Sequence, residues 1–80
     1  MELNNNEGKI LNYKNQKVGA YKDKNGQIFA VQPNCTYDGC MTNWDKDEKI
    51  YICPCCGSRF GFDGRVVKGP ADEGLPRINL

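Results

Sequence analysis

All five cysteines of the 80-residue chain fall between positions 35 and 56, spaced Cys35-x4-Cys40-x12-Cys53-x-Cys55-Cys56. Thiolates are soft ligands, of the kind zinc and iron–sulfur centres prefer. Five is odd, so a framework made only of disulfides leaves one thiol over. The N-terminal Met1-Glu2-Leu3-Asn4-Asn5-Asn6 has neither the basic flank nor the apolar stretch of a signal peptide. The expectation is therefore a cytoplasmic, reducing setting, where clustered cysteines hold metal more often than they cross-link. Buried or disulfide-linked cysteines without metal are the alternative. The chain has no histidine, which excludes a Ser-His-Asp triad, a His-Glu-x-x-His metalloprotease and any imidazole base.

Two separated cysteine groups can share one centre only if the chain folds their loops together. The pattern around them is that of strands and turns. Lys9-Ile10-Leu11-Asn12-Tyr13 and Lys17-Val18-Gly19-Ala20-Tyr21-Lys22 read as strands about a turn at Asn15-Gln16. Asp23-Lys24-Asn25-Gly26 reads as a hairpin connection, since Asn-Gly supplies positive φ, and Gln27 to Val31 follows as its partner strand. Lys49-Ile50-Tyr51-Ile52 delivers Cys53, and Asp63-Gly64 joins Arg59-Phe60-Gly61-Phe62 to Arg65-Val66-Val67 in a second hairpin. Pro33-Asn34 closes the first meander. Gly69-Pro70-Ala71 and Leu75-Pro76 mark a tail unsuited to a sheet interior. Asp45 to Lys49 reads as a solvated loop tip, with a helical turn as the alternative. Residues 1–7 read as frayed. No segment keeps a long 3.6-residue period, so little helix is expected.

Composition narrows the function classes. Eleven Lys+Arg against ten Asp+Glu leave a net charge of +1, so no general basic field for nucleic acid is expected. No apolar run exceeds four residues, far short of a membrane span. A chain this short makes one domain, residues 1–80, and needs a staple such as a metal, a disulfide or a partner. Trp44, Tyr51 and Phe62 read as core packing, and Tyr13 and Tyr21 as half-buried strand residues.

Cys-Thr-x-x-Gly-Cys from Cys35, Cys-Pro-Cys-x-Gly-Ser-x-Phe from Cys53, then Asp-Gly-x-Val and Gly-Pro-Ala occur in that order. This succession resembles a Rieske-type [2Fe–2S] domain across about residues 17–76. Lys17-Val18-Gly19-Ala20-Tyr21 and Phe29-Ala30-Val31 are similar to the C-terminal Rieske module of certain FAD-dependent oxidoreductases. The resemblance implies an all-β fold: a small antiparallel sheet sandwich or partial barrel with two metal-binding loops, within residues 35–62. It implies one-electron transfer through an iron–sulfur centre with a flavoprotein redox partner, which could be part of the same polypeptide; the charge balance and the short apolar runs separately lead to the expectation of no nucleic-acid or membrane partner.

The ligand positions depart from the family. Its cysteine ligands map to Cys35 and Cys53, and its histidine ligands to Tyr37 and Cys56. Its loop-linking disulfide maps to Cys40 and Cys55. Ser58 matches a serine that hydrogen-bonds a bridging sulfide, Gly57 sits in the second loop, and Pro70 matches the proline loop that covers the cluster. Phe60 stands where high-potential members carry a tyrosine. Two imidazoles keep such a centre at roughly −150 to +300 mV, whereas all-thiolate ligation lies near about −400 mV. The changes therefore imply a low potential. Cys53-Pro54-Cys55-Cys56-Gly57 also resembles the metal knuckle of rubredoxins and zinc ribbons. Three arrangements stand open. One is a two-iron core on Cys35, Cys53 and Cys56 with Cys40 or Tyr37. Another is a Zn²⁺ or single iron in a Cys35, Cys40, Cys53, Cys56 cage. The last is a metal-free domain with a Cys40–Cys55 disulfide.

Overall fold

The turn chemistry sets where the strands begin and end. Residues 3–79 are described by a computed structural model, which contains seven strands and no helix. β1 (Glu7–Tyr13), β2 (Gln16–Lys22) and β3 (Ile28–Val31) form an antiparallel meander. The first reversal falls at Lys14 and Asn15, with φ of 50° and 67°. These paired positive angles fit the two-residue hairpin whose twist matches its strands. The turn thus sits one residue before the expected Asn15-Gln16, and Gln16 pairs with Tyr13 as the first residue of β2. At the second reversal the Asp23 carboxylate accepts the N–H groups of Asn25 and Gln27 at 2.9 and 2.8 Å, and Gly26 takes φ 85°.

β4 (Asn43–Asp45), β5 (Ile50–Ile52), β6 (Arg59–Gly61) and β7 (Val66–Lys68) form the second antiparallel sheet, in sequence order. The charged stretch after β4 is a turn. The Asp45 carboxylate accepts from the N–H groups of Asp47 and Glu48 at 2.9 and 3.1 Å, and Lys46 to Glu48 are exposed.

The sheets meet through aromatic rings set against glycines. Trp44 covers Gly8 of β1, where an added Cβ would come 2.4 Å from the indole. Tyr51 covers Gly19 of β2 at 2.7 Å on the same measure. Trp44 and Tyr51 stack edge to face at 4.8 Å, and Tyr21, Phe62 and Phe29 extend the row with centroids 4.8–5.5 Å apart. The aromatics fill the space between the sheets, and Tyr21 is buried, not half-buried.

The polar start and the Pro/Gly tail are both tied down. Leu3 is buried and the Asn6 N–H donates to the Lys22 carbonyl at 2.6 Å, so the stretch that reads as frayed has contacts with the fold from residue 3; residues 1 and 2 lie outside the described residues. The tail runs back along β3: Gln32 N–H donates to the Pro76 carbonyl and Ile78 N–H to that of Ala30, both at 2.8 Å.

Candidate metal centre

Each cysteine group occupies a loop closed by antiparallel pairing. The first lies between the bridged residues Asn34 and Met41, the second between β5 and β6. The two loops share one backbone plan. In the first, Gly39 N–H donates to the Cys35 carbonyl at 2.9 Å and Cys35 N–H to that of Cys40 at 2.8 Å. In the second, Gly57 N–H donates to the Cys53 carbonyl at 2.9 Å and Cys53 N–H to that of Ser58 at 2.8 Å. Gly39 and Gly57 take φ of 78° and 80°, the left-handed conformation that glycine adopts freely. Matched by these bonds, Cys35 corresponds to Cys53 and Asp38 to Cys56.

Four ligand atoms gather where the loops meet. Those of Cys35, Asp38, Cys53 and Cys56 all lie within 4.8 Å of one another. The Cys35 and Cys56 sulfurs are 3.7 Å apart, and the Cys53 thiol donates to Asp38, 3.4 Å from Oδ1 and 3.6 Å from Oδ2. Cys35 and Cys53 are buried, at 3% and 0% exposure, Cys56 is half-buried and Asp38 faces solvent. The Cys40 N–H, 3.0 Å from Asp38 Oδ1, holds that carboxyl below the usual carboxylate range. Burial pushes the Cys53 thiol up to about 11. The Ser58 hydroxyl, 3.0 Å from its sulfur, draws Cys56 below the ordinary thiol range.

The other sequence candidates stand around this group, and the sulfurs of Cys40 and Cys55 lie within 4.8 Å of the ligand atoms of Asp38 and Cys53. Cys40 and Cys55 are joined in a disulfide, so Cys40 offers no free thiolate and leaves the candidate ligands. Tyr37 is 63% exposed. Its contribution is its backbone N–H, which donates to the Cys35 sulfur at 3.4 Å. Pro70 is exposed; it is the next residue, Ala71, that is buried beside Cys35 and Cys53 and donates its N–H to Ser58 Oγ at 3.0 Å. Thr36 Oγ1 donates to the Glu73 carbonyl at 2.6 Å, tying the first loop to the same segment. Phe60 is a core residue. Asp38 is the donor that the sequence reading missed, although a carboxylate between two cysteines in a Gly-containing loop was a visible signal.

Known proteins are similar to this chain in sequence and fold. The Rieske [2Fe-2S] domain family matches residues 1–79. The Bacillus subtilis protein YhfW, whose name carries the Rieske 2Fe-2S designation, is 38% identical over 79 residues, which are 99% of this chain and 16% of that protein. The cytochrome b6-f complex iron-sulfur subunit of Chlorobaculum tepidum is 33% identical over 69 residues, 86% of this chain and 38% of the subunit. The plasma membrane Rieske protein PetC3 of Synechocystis PCC 6803 superposes with a TM-score of 0.80 at 38% identity, covering 90% of this chain and 74% of that one. The chain therefore spans well under half of either sequence relative. With two antiparallel sheets, a pair of cysteine loops and a family match over nearly its whole length, the chain belongs to the Rieske [2Fe–2S] domain family.

Proposed function

We propose that the chain is a one-electron transfer module whose redox metal is iron held by thiolates at the paired loops. The observation that carries this reading is the convergence of three free thiols and a carboxylate within 4.8 Å at the loop tips of a Rieske fold. A Rieske centre places two imidazoles on one of its irons. This chain has no histidine, and Tyr37 and Cys56 stand at those positions, so its residues do not fit that ligation. They do fit iron bound through sulfur, for which thiolates are the preferred donors.

Anionic donors in place of neutral imidazoles stabilise the oxidised metal, so the midpoint is drawn down from the family's span toward about −400 mV. The protein's part is to hold the donors, to hide Cys35 and Cys53 from water, and to direct the Ser58 hydroxyl at Cys56. The proposed electron partner is a flavoprotein, on the strength of the resemblance to modules of FAD-dependent oxidoreductases. The 16% share of YhfW shows that such a segment also occurs within a much longer protein. The names of other relatives refer to cytochrome b6-f complexes, which makes a cytochrome complex the competing partner. A cytoplasmic setting belongs to the same proposal; the three unpaired thiols support it, and the Cys40–Cys55 disulfide weighs against it.

The knuckle-like form of the second loop favours one other reading, a structural zinc site. Purification without oxygen, metal analysis and a redox titration separate the two. Iron that takes up one electron reversibly supports the carrier. A colourless zinc protein with no redox response overturns it.

A further inference from the structure

We infer that the two loops form a single-ion site, with Cys35, Asp38, Cys53 and Cys56 as the four ligands of one tetrahedral metal, in place of the two-iron group of the family. The inference deepens the metal-centre reading above and rests on it.

Loop equivalence is the first support. The hydrogen bonds Gly39 N–H to Cys35 O and Gly57 N–H to Cys53 O, with the matching pair Cys35 N–H to Cys40 O and Cys53 N–H to Ser58 O, put residues 35 and 38 in the roles of 53 and 56. Each loop thus offers a donor at its first position and another three residues on, just before a left-handed glycine. One loop reads Cys-x-x-Asp-Gly and the other Cys-x-x-Cys-Gly. Two turns of this kind facing each other present four donors to one point. The family's histidine position in the first loop is Tyr37, one residue earlier, and its side chain is 63% exposed. The donor in this chain has moved to the position that mirrors the second loop.

Distance is the second support. With metal–sulfur bonds of about 2.3 Å, two thiolates on one tetrahedral ion stand about 3.8 Å apart, and a thiolate and a carboxylate oxygen about 3.5 Å. The structure has 3.7 Å between the Cys35 and Cys56 sulfurs, and 3.4 and 3.6 Å from the Cys53 sulfur to the two Asp38 oxygens. Terminal ligands on opposite irons must stand farther apart, because two bridging sulfides lie between those irons. Here Cys35 and Cys56, which the family mapping assigns to different irons, are as close as two ligands of one ion.

Chemistry is the third support. The disulfide removes Cys40 and Cys55 as thiolates and holds the two loops together. Three thiolates and one carboxylate are a donor set that Zn²⁺ and Fe²⁺ both accept. When a divalent ion binds, three S–H bonds give way to three metal–sulfur bonds and three protons pass to solvent, while the Asp38 carboxylate binds as the anion. No electron moves in this step.

The test uses the full chain with its disulfide intact. Metal-free protein is titrated with Co²⁺ under argon, and separately purified native protein is assayed for iron, zinc and acid-labile sulfide. One Co²⁺ per chain, with the visible absorption of a tetrahedral thiolate complex, supports the site. Asp38→Ala is expected to weaken Co²⁺ binding at least about tenfold, as losing a metal-site contact does; Asp38→Cys is expected to restore it, and Tyr37→Phe to leave it unchanged. Asp38 is exposed, so its variants leave the core intact. Native protein with two irons and two sulfides per chain overturns the single-ion site and leaves the electron carrier standing. One zinc per chain without iron supports the site and overturns the carrier. Absence of Co²⁺ binding, or binding lost in Tyr37→Phe but kept in Asp38→Ala, overturns the ligand set.

Discussion

Ser58 Oγ accepts the Ala71 N–H at 3.0 Å and stands 3.0 Å from the Cys56 sulfur. With its oxygen engaged by Ala71, the one hydroxyl proton is free to point at sulfur. Ser58→Ala removes this donor and strands the buried Ala71 N–H. The expected cost is about 1–3 kcal/mol in a urea unfolding curve. In iron-loaded protein the midpoint is expected to fall, since a hydrogen bond to a ligand sulfur disperses its charge. An unchanged unfolding curve would remove Ser58 from the buried network.

In the metal-free chain Cys56 is expected to react before Cys53. Burial pushes the Cys53 thiol up to about 11, while the Ser58 hydrogen bond lowers Cys56. The thiolate is the reactive form. At about pH 8, near the ordinary thiol value, the lowered group therefore holds the larger thiolate fraction, and Cys56 is also the more exposed of the two. Limited alkylation followed by peptide mapping reads the order directly.

Replacing both Cys40 and Cys55 by serine opens a cross-link between residues 15 apart in sequence. A loop of that length is worth about 3 kcal/mol in the chain-entropy account. The variant is expected to unfold at correspondingly lower urea and to bind Co²⁺ more weakly, because the loops carrying Cys35 and Cys53 lose their covalent tie. Equal affinity would show that the sheets alone align the two loops.

Gly19 and Tyr51 offer a paired test of the contact between sheets. A Cβ at Gly19 would meet the Tyr51 ring at 2.7 Å, so Gly19→Ala is expected to cost about 1–3 kcal/mol through overpacking. The Tyr51 hydroxyl is buried with no hydrogen-bond partner among the described residues, and burial pushes its titration upward. Tyr51→Phe discards an unsatisfied polar group and is expected to stabilise the fold by roughly 1 kcal/mol. Thermal or urea unfolding of the two variants should move in opposite directions.

With no histidine in the chain, the midpoint of the iron-loaded protein is expected to stay level between about pH 6 and 9, where imidazole would titrate. Protein-film voltammetry across that range is the check. A slope of about 59 mV per pH unit, one proton per electron, would mean that another group near the iron takes up a proton on reduction.

Much of this fold was legible because its strands are bounded by residues with few alternatives. Asn25-Gly26 and Asp63-Gly64 announced their reversals, and both glycines take the positive φ that tight turns need. β4 escaped notice because Asn43-Trp44-Asp45 has no alternation of its own; it becomes a strand by pairing with Ile50–Ile52 and resting Trp44 on Gly8. Leu3 escaped for a similar reason, since its burial depends on distant chain and its neighbours are polar. At the site, the cysteine spacing announced two loops. Mapping onto a family pattern then drew attention to Tyr37, whereas the donor that reaches the centre is its neighbour Asp38. One residue of offset in a tight turn decides which of two exposed side chains lies beside the cysteine sulfurs, and the backbone hydrogen bonds of the two loops reveal that offset.

The closeness of Cys35 and Cys56 imposes an order on biogenesis. Their sulfurs stand 3.7 Å apart, one oxidation from a covalent bond that would consume two of the three free thiols. The same end of the molecule must therefore acquire one oxidised pair, Cys40 with Cys55, while sparing a reduced trio beside it. In the proposed single-ion site, early metal insertion would reconcile these demands, because a cation on the three sulfurs would leave Cys40 and Cys55 as the remaining partners for an oxidant.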